Sequence, residues 1–151
     1  KVDVYLRIPN AKANGLGLPL PAGKLRVAKR DDDGSLEFIG EDLIDHTPRD
    51  ETVQVKLGSA FDVVGERRQV DYRIDSAAKW IEEEIEIRVR NQKPDETVNV
   101  IVKENLYRWT NWTITRKSGE FDKADARTVH FPVRIAPKAE AVVRYTVRYT
   151  W

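Results

Sequence analysis

Apolar and polar residues alternate along most of the chain. Val2, Val4, Leu6 and Ile8 alternate with Asp3, Tyr5 and Arg7, and Val53, Val55 and Leu57 alternate with Gln54 and Lys56. Ile85, Ile87 and Val89 are separated by Glu86 and Arg88, and Val98, Val100 and Val102 follow. Near the end, Val143, Tyr145, Val147, Tyr149 and Trp151 alternate with Arg144, Thr146, Arg148 and Thr150. Successive side chains of a strand point to opposite faces, so each run has one face for a core and one for water. One-sided burial of this kind belongs to antiparallel sheets.

Turn residues punctuate the runs. Asp33-Gly34 separates Lys24–Arg30 from Ser35–Ile44 and reads as a hairpin turn. Lys93-Pro94-Asp95 separates Trp80–Arg90 from Thr97–Leu106, and Ala136-Pro137-Lys138 separates Arg127–Ile135 from Ala141–Tyr149. Ser118-Gly119 breaks the chain after Trp112–Arg116. The segment Phe61–Asp75 reads as one long strand bent at Gly65, and Ala77–Glu84 as the entry to a strand rather than a helix. The spacing gives about nine or ten strands. The expected fold is an all-β antiparallel sandwich, immunoglobulin-like or fibronectin-III-like. Without an internal repeat or linker, residues 1–151 read as one domain.

Asn10–Gly23 breaks the pattern. Pro19 and Pro21 remove two backbone donors, which keeps this stretch out of a sheet interior. Leu16, Leu18 and Leu20 are expected to fold back as a lid over one end of the sandwich, because apolar loop residues need somewhere to bury. The competing reading is a binding loop.

The balance of 26 basic and 25 acidic side chains leaves a formal net charge of +1, so no whole-molecule field draws in nucleic acid or anionic lipid. The chain has no cysteine, which removes disulfides, thiolate metal sites and cysteine nucleophiles. No apolar run approaches the roughly 20 residues that cross a bilayer as a helix. The chain begins at Lys1 and has no methionine, and it is read as an excised piece of a longer protein.

Candidate chemistry is sparse. Gly17 to Gly23-Lys24 has the wrong spacing for a phosphate loop, and Leu25 stands where Ser or Thr is needed. Asp31-Asp32-Asp33-Gly34, with Glu37, gathers carboxylates, but in a plain acidic turn rather than at calcium-loop spacing. His46 and His130 are too few for a three-histidine zinc centre. Asp62 and Glu66, with Arg67 and Arg68 beside them, share a strand face. At about 13 Å they stand too far apart for an acid/base pair unless Gly65 bends the strand, and an ion-pair network is the simpler role. Tyr107, Trp109 and Trp112, with Arg108 and Arg116, form an aromatic cluster suited to stacking on sugars or bases. Trp80 and Trp151 are further aromatics on other strands, and the ordinary role of such rings is core or core rim.

Three signatures in order resemble a bacterial family, the C-terminal region of domain of unknown function 4139. They are Asn14–Lys24, Phe38-Ile39-Gly40-Glu41-Asp42 with His46-Thr47-Pro48, and Ala60–Arg67. The resemblance extends to the closing Tyr145–Tyr149. It implies a β domain of an exported or envelope protein, placed in the periplasm or cell envelope, and carries over no catalytic residue.

The expected function is a non-catalytic interaction or structural module without a cofactor. Its partner would be a protein, either the rest of its own chain or an envelope component. The first alternative is a carbohydrate- or cell-wall-binding module using Tyr107, Trp109 and Trp112. The second is a hydrolase near His46, Asp62 and Glu66. The terminal strand, Ala141–Trp151, is a candidate exposed edge, with Arg144 and Arg148 opposing casual self-association.

Overall fold

A computed structural model describes all residues from Lys1 to Trp151. The chain is all-β, with eleven strands, antiparallel pairing throughout and a single 3-10 turn at Lys12–Asn14. The fold divides into two compact units, Lys1–Ala60 and Phe61–Trp151.

The first unit holds β1 (Asp3–Pro9), β2 (Gly23–Arg30), β3 (Leu36–Ile44) and β4 (Thr52–Ser59). β1 pairs with β4, and β2 forms a hairpin with β3 across the acidic turn. In that turn Asp33 accepts a hydrogen bond from the Ser35 amide at 2.8 Å, and Gly34 takes the left-handed φ of 85°. The core is thin, with Val53 and Val55 buried on β4 opposite Ile8 and Leu6. Gly40 of β3 lies against the backbone of β4, where a β-carbon would come within 2.9 Å of Leu57 Cα and its carbonyl oxygen.

The lid is not formed. Leu18 is 69% exposed and Leu16 is also exposed. What holds the Asn10–Gly23 loop is one fully buried amide. Asn10 Nδ2 donates to the carbonyls of Leu18 (2.8 Å) and Pro48 (2.9 Å), and Oδ1 accepts from the Gly17 amide (3.0 Å). Arg49 Nε adds a bond to the Gly17 carbonyl at 2.7 Å, and Leu20 bridges Thr47. The loop satisfies its backbone through these polar contacts, and Leu16 and Leu18 are left in water while Leu20 is half-buried.

The second unit holds β5 (Val63–Asp75), β6 (Trp80–Asn91), β7 (Val98–Asn105), β8 (Trp112–Lys117), β9 (Asp122–Lys123), β10 (Thr128–Ile135) and β11 (Glu140–Thr150). They form a four-stranded sheet in the order β5-β6-β11-β8 and a three-stranded sheet in the order β7-β10-β9. The two sheets meet face to face in a sandwich-like pair of layers. Ile85, Ile87 and Val89 of β6 and Val143, Tyr145 and Val147 of β11 are buried on one side, and Val102, Val129, Phe131 and Ile135 on the other. Phe131 and Tyr145 stack across the layers with ring centroids 5.3 Å apart.

The terminal strand is not an edge: β11 is flanked by β6 and β8, and the edges of its sheet are β5 and β8. Nor does β5 bend through an irregularity at Gly65. Its bulge lies between Gln69 and Asp71, at Val70. Before the bulge, Gly65, Arg67 and Gln69 lie opposite the buried Val89, Ile87 and Ile85; after it, Tyr72 and Ile74 lie opposite Glu83 and Ile81. The bulge therefore exchanges the parity of the two faces.

The outer face of the four-stranded sheet carries an ion-pair lattice. Glu86 is buried beneath arginines from three strands: Arg68 and Arg88 at 2.9 Å each and Arg144 at 3.6 Å. Arg88 also reaches Glu140 at 3.0 Å, Arg144 reaches Glu84 at 2.6 Å, and Arg73 and Arg148 flank Glu82. Charge assistance from Arg88, then Arg68, holds the Glu86 carboxyl below its ordinary range.

Candidate functional site

The best-formed candidate surface lies at one end of the second unit, where the β7–β8 loop, the end of β11 and the β5–β6 turn meet. The loop Leu106–Asn111 is anchored at both ends. Leu106 is buried and its amide bonds the Arg127 carbonyl at 2.7 Å. At the other end the Thr150 amide donates to the Asn111 carbonyl at 3.0 Å, and Asn111 Nδ2 donates to Thr150 Oγ1 at 2.6 Å. The Trp151 amide donates to the Lys79 carbonyl of the β5–β6 turn at 3.2 Å. Fixing the loop at these points displays Tyr107, Arg108 and Trp109 between them.

Arg108 organises the surface. Its Nη2 meets Glu83 at 2.7 Å, and the same buried carboxylate accepts from Gln69 Nε2 at 2.6 Å. The guanidinium lies 5.0 Å from the Tyr72 ring and 5.2 Å from the Tyr107 ring, clamped between two π faces. Its Nε is buried without a hydrogen-bond partner. Beside it the Trp109 and Trp151 rings approach to 6.2 Å at a tilt of 55°. Tyr107 is 56% exposed, Trp109 49%, Trp151 42% and Tyr72 41%, so four large rings are half open to solvent. Beneath them Tyr149 is buried, and burial, with Glu83 nearby, pushes its hydroxyl well above the usual tyrosine range.

The aromatic residues singled out by sequence do not form one cluster. Tyr107 and Trp109 belong to this surface. Trp112 instead donates its indole N–H to the Ala126 carbonyl at 2.9 Å, with Lys123 lying 5.0 Å over its ring. Trp80 is covered by Arg148 at 4.4 Å. Tyr72 and Trp151 complete the surface with Tyr107 and Trp109. Tyr72 lies far from the loop in sequence, and only strand pairing brings it there.

The carboxylate set does not converge. Asp62 lies 3.9 Å from Lys93 and Glu66 3.1 Å from Arg90. Arg67 turns inward, its Nε bonding both oxygens of Glu104 at 3.1 and 3.0 Å, while Tyr145 donates its hydroxyl to the same carboxylate at 2.7 Å. Arg67 thus spans the two sheets rather than serving Asp62 or Glu66. In the first unit, His46 Nδ1 accepts from the Ala22 amide at 3.2 Å and sits in a shallow recess with Pro19, Pro21 and Pro48. His130 lies on the outward face of β10, in register with Lys103 and Asp122. No group of three or more His, Asp or Glu side chains is arranged to hold a metal ion. No helix is long and apolar enough to cross a membrane. Comparison of the chain with protein-family models, curated proteins and solved structures found no match to any of them.

Proposed function

We propose that the chain is a non-catalytic interaction module that binds a protein partner through the aromatic end of its second unit. The observation that carries this reading is the exposure of Tyr72, Tyr107, Trp109 and Trp151 around the clamped Arg108. Tyrosine, tryptophan and arginine are enriched among the few residues that carry most of the binding energy at protein interfaces, the two aromatics because they bring large area with few rotors to immobilise. Here the rings are already fixed by anchored backbone, so little ordering remains to oppose association. The same reading takes the second unit as a fibronectin-like sandwich. It takes the parent as an envelope or exported bacterial protein of the domain of unknown function 4139 family, on the signatures in Asn14–Lys24, Phe38–Pro48 and Ala60–Arg67. Asp62, Glu66 and His46 each hold a structural partner, which supports a binding role over hydrolysis.

The tilted Trp109–Trp151 pair also favours a second reading, a glycan-binding platform, since two exposed rings on one surface suit the apolar face of a sugar. A crosslinking pull-down from solubilised envelope, using the chain and its Trp109→Ala/Trp151→Ala variant as baits, separates the two. A protein captured by the parent sequence and lost with the variant supports the first. Retention on cell-wall polysaccharide that the variant abolishes supports the second. Equal capture by both baits refutes the aromatic end as the binding surface, provided the variant unfolds at the parent's denaturant midpoint.

A further inference from the structure

β5 is the longest strand of the fold and pairs on one side only, with β6. Its outer-face residues are Glu66 and Arg68 before the bulge and Asp71 and Arg73 after it, opposite Arg88, Glu86, Glu84 and Glu82 of β6. The order of charge along that face is minus, plus, minus, plus. Each of the four already has a partner within the chain, yet each side chain remains between 48% and 65% exposed, with room for a second. Val64, Val70, Tyr72 and Ile74 are exposed on the same strand.

We propose that β5 pairs antiparallel with β5 of a second copy of this chain, about a two-fold axis between Gln69 and Val70. In that register Glu66 faces Arg73 of the partner subunit, and Arg68 faces Asp71 of the partner subunit. The two-fold repeats both pairs, so four opposite-charge contacts line one face. On the other face Gly65 meets Ile74 of the partner subunit, where the absent side chain leaves room for the branched one.

The charges also select the register. Sliding by two residues in one direction sets Arg68 against Arg73 and Glu66 against Asp75. Sliding by two in the other sets Glu66 against Asp71. Like charges directly opposite one another destabilise a pair.

The charge order also selects the occupant. A strand laid antiparallel on this edge must set plus, minus, plus, minus against it, and a second β5 does so by its own sequence. The bulge does not stand in the way, because the two copies set it at the same place beside the axis. Bulges and charges commonly guard an edge against casual pairing. Here the charges oppose strands of another order and admit this one, and the two four-stranded sheets run on as one.

The test is the mass of the intact chain in solution by sedimentation equilibrium across a range of loading concentrations, at low and high salt. A dimer that weakens with salt is expected. Reversing one partner, as Arg73→Glu, places like charges opposite each other twice per dimer and should weaken association about tenfold, while Glu66→Lys/Arg73→Glu should recover most of the loss. A second readout does not depend on those charges. The chain lacks cysteine, and in this register the two copies of Val70 lie about 6 Å apart, within disulfide reach. Val70→Cys should therefore crosslink rapidly under mild oxidation, and Leu36→Cys, exposed on β3, should not. A wild-type chain that stays monomeric overturns the proposal, as does crosslinking at Val70 no faster than at Leu36. Failure of the double reversal to restore a dimer lost in the single one overturns the register.

Discussion

Removing one oxygen, by Tyr145→Phe, tests the polar bridge inside the second unit. The Tyr145 hydroxyl is buried and donates to Glu104 at 2.7 Å, so the substitution removes a hydrogen bond to a charged acceptor. Such bonds contribute about 1.5–3 kcal/mol. The remaining interactions keep the loss below that of a stranded buried charge, because Arg67 still holds both carboxylate oxygens and the ring still stacks on Phe131. The expected cost at pH 7 is about 2 kcal/mol, read as a lower urea midpoint with an unchanged slope. The pH dependence gives a second signature. Burial first, and then the Glu104 charge, raise the Tyr145 hydroxyl well above the usual tyrosine range. The folded chain therefore keeps this proton after the unfolded chain loses it near pH 10. Tyr145's contribution is full below pH 10 and declines as pH rises further. Phenylalanine has no such proton, so the gap between parent and variant should narrow by up to about 1.4 kcal/mol at pH 11. A difference under about 0.5 kcal/mol at pH 7, or a gap that widens in alkali, refutes the bridge as a stabilising element.

Three further outcomes follow from the same geometry. Gly40→Ala sets a β-carbon 2.9 Å from the Leu57 backbone and should destabilise the first unit by about 1–3 kcal/mol, whereas Gly23→Ala, with open space around it, should leave the urea midpoint in place. Asn91→Leu should cost about 3 kcal/mol by thermal or urea unfolding, since Nδ2 serves the carbonyls of Glu96, Ile135 and Ala136 and Oδ1 accepts from the Lys93 amide. Hydrogen bonding from Arg88 lowers the Glu86 carboxyl, so its contribution is present above the ordinary glutamate value and lost as pH falls through the lowered one; Glu86→Gln should flatten the acid side of the stability profile.

Strand positions were legible because alternation is a local property. β6 begins at Trp80, as read, and ends one residue past the expected Arg90, and β11 covers the expected Ala141–Tyr149 with one residue more at each end. Sheet order is not local, which is why β11 passed for an edge while β5, whose apolar alternation is confined to Val70, Tyr72 and Ile74, and β8 are the edges. The inward turn of Arg67 was hidden for a related reason. Its partner Glu104 lies on the opposite sheet, and a charged residue in a strand reads as outward-facing until the register is known. The two-residue β9 is too short to leave a periodic trace. In the aromatic site, Tyr107 and Trp109 were visible as neighbours in one loop, while Tyr72 and Trp151 join them only through pairing and chain closure. Asn10 gave no signal at all, since a buried amide and a turn asparagine look alike in sequence.

Asn10 and Asn91 share a consequence for how this fold tolerates change. Each ends or follows a strand, is almost fully enclosed, and sets the course of the chain beyond it through bonds to backbone carbonyls and amides. Backbone groups are the same whatever side chains they carry. The path of these loops is therefore decoupled from most of their own composition, with Gly15 and Gly17 as exceptions, since both take left-handed φ values and Gly17 also sits against the Lys12 backbone. Exposed positions such as Leu16 and Leu18 are open to replacement without loss of loop shape. The two loops are natural insertion points for graft libraries, in which one asparagine serves as the fixed anchor and the variable residues ride on it.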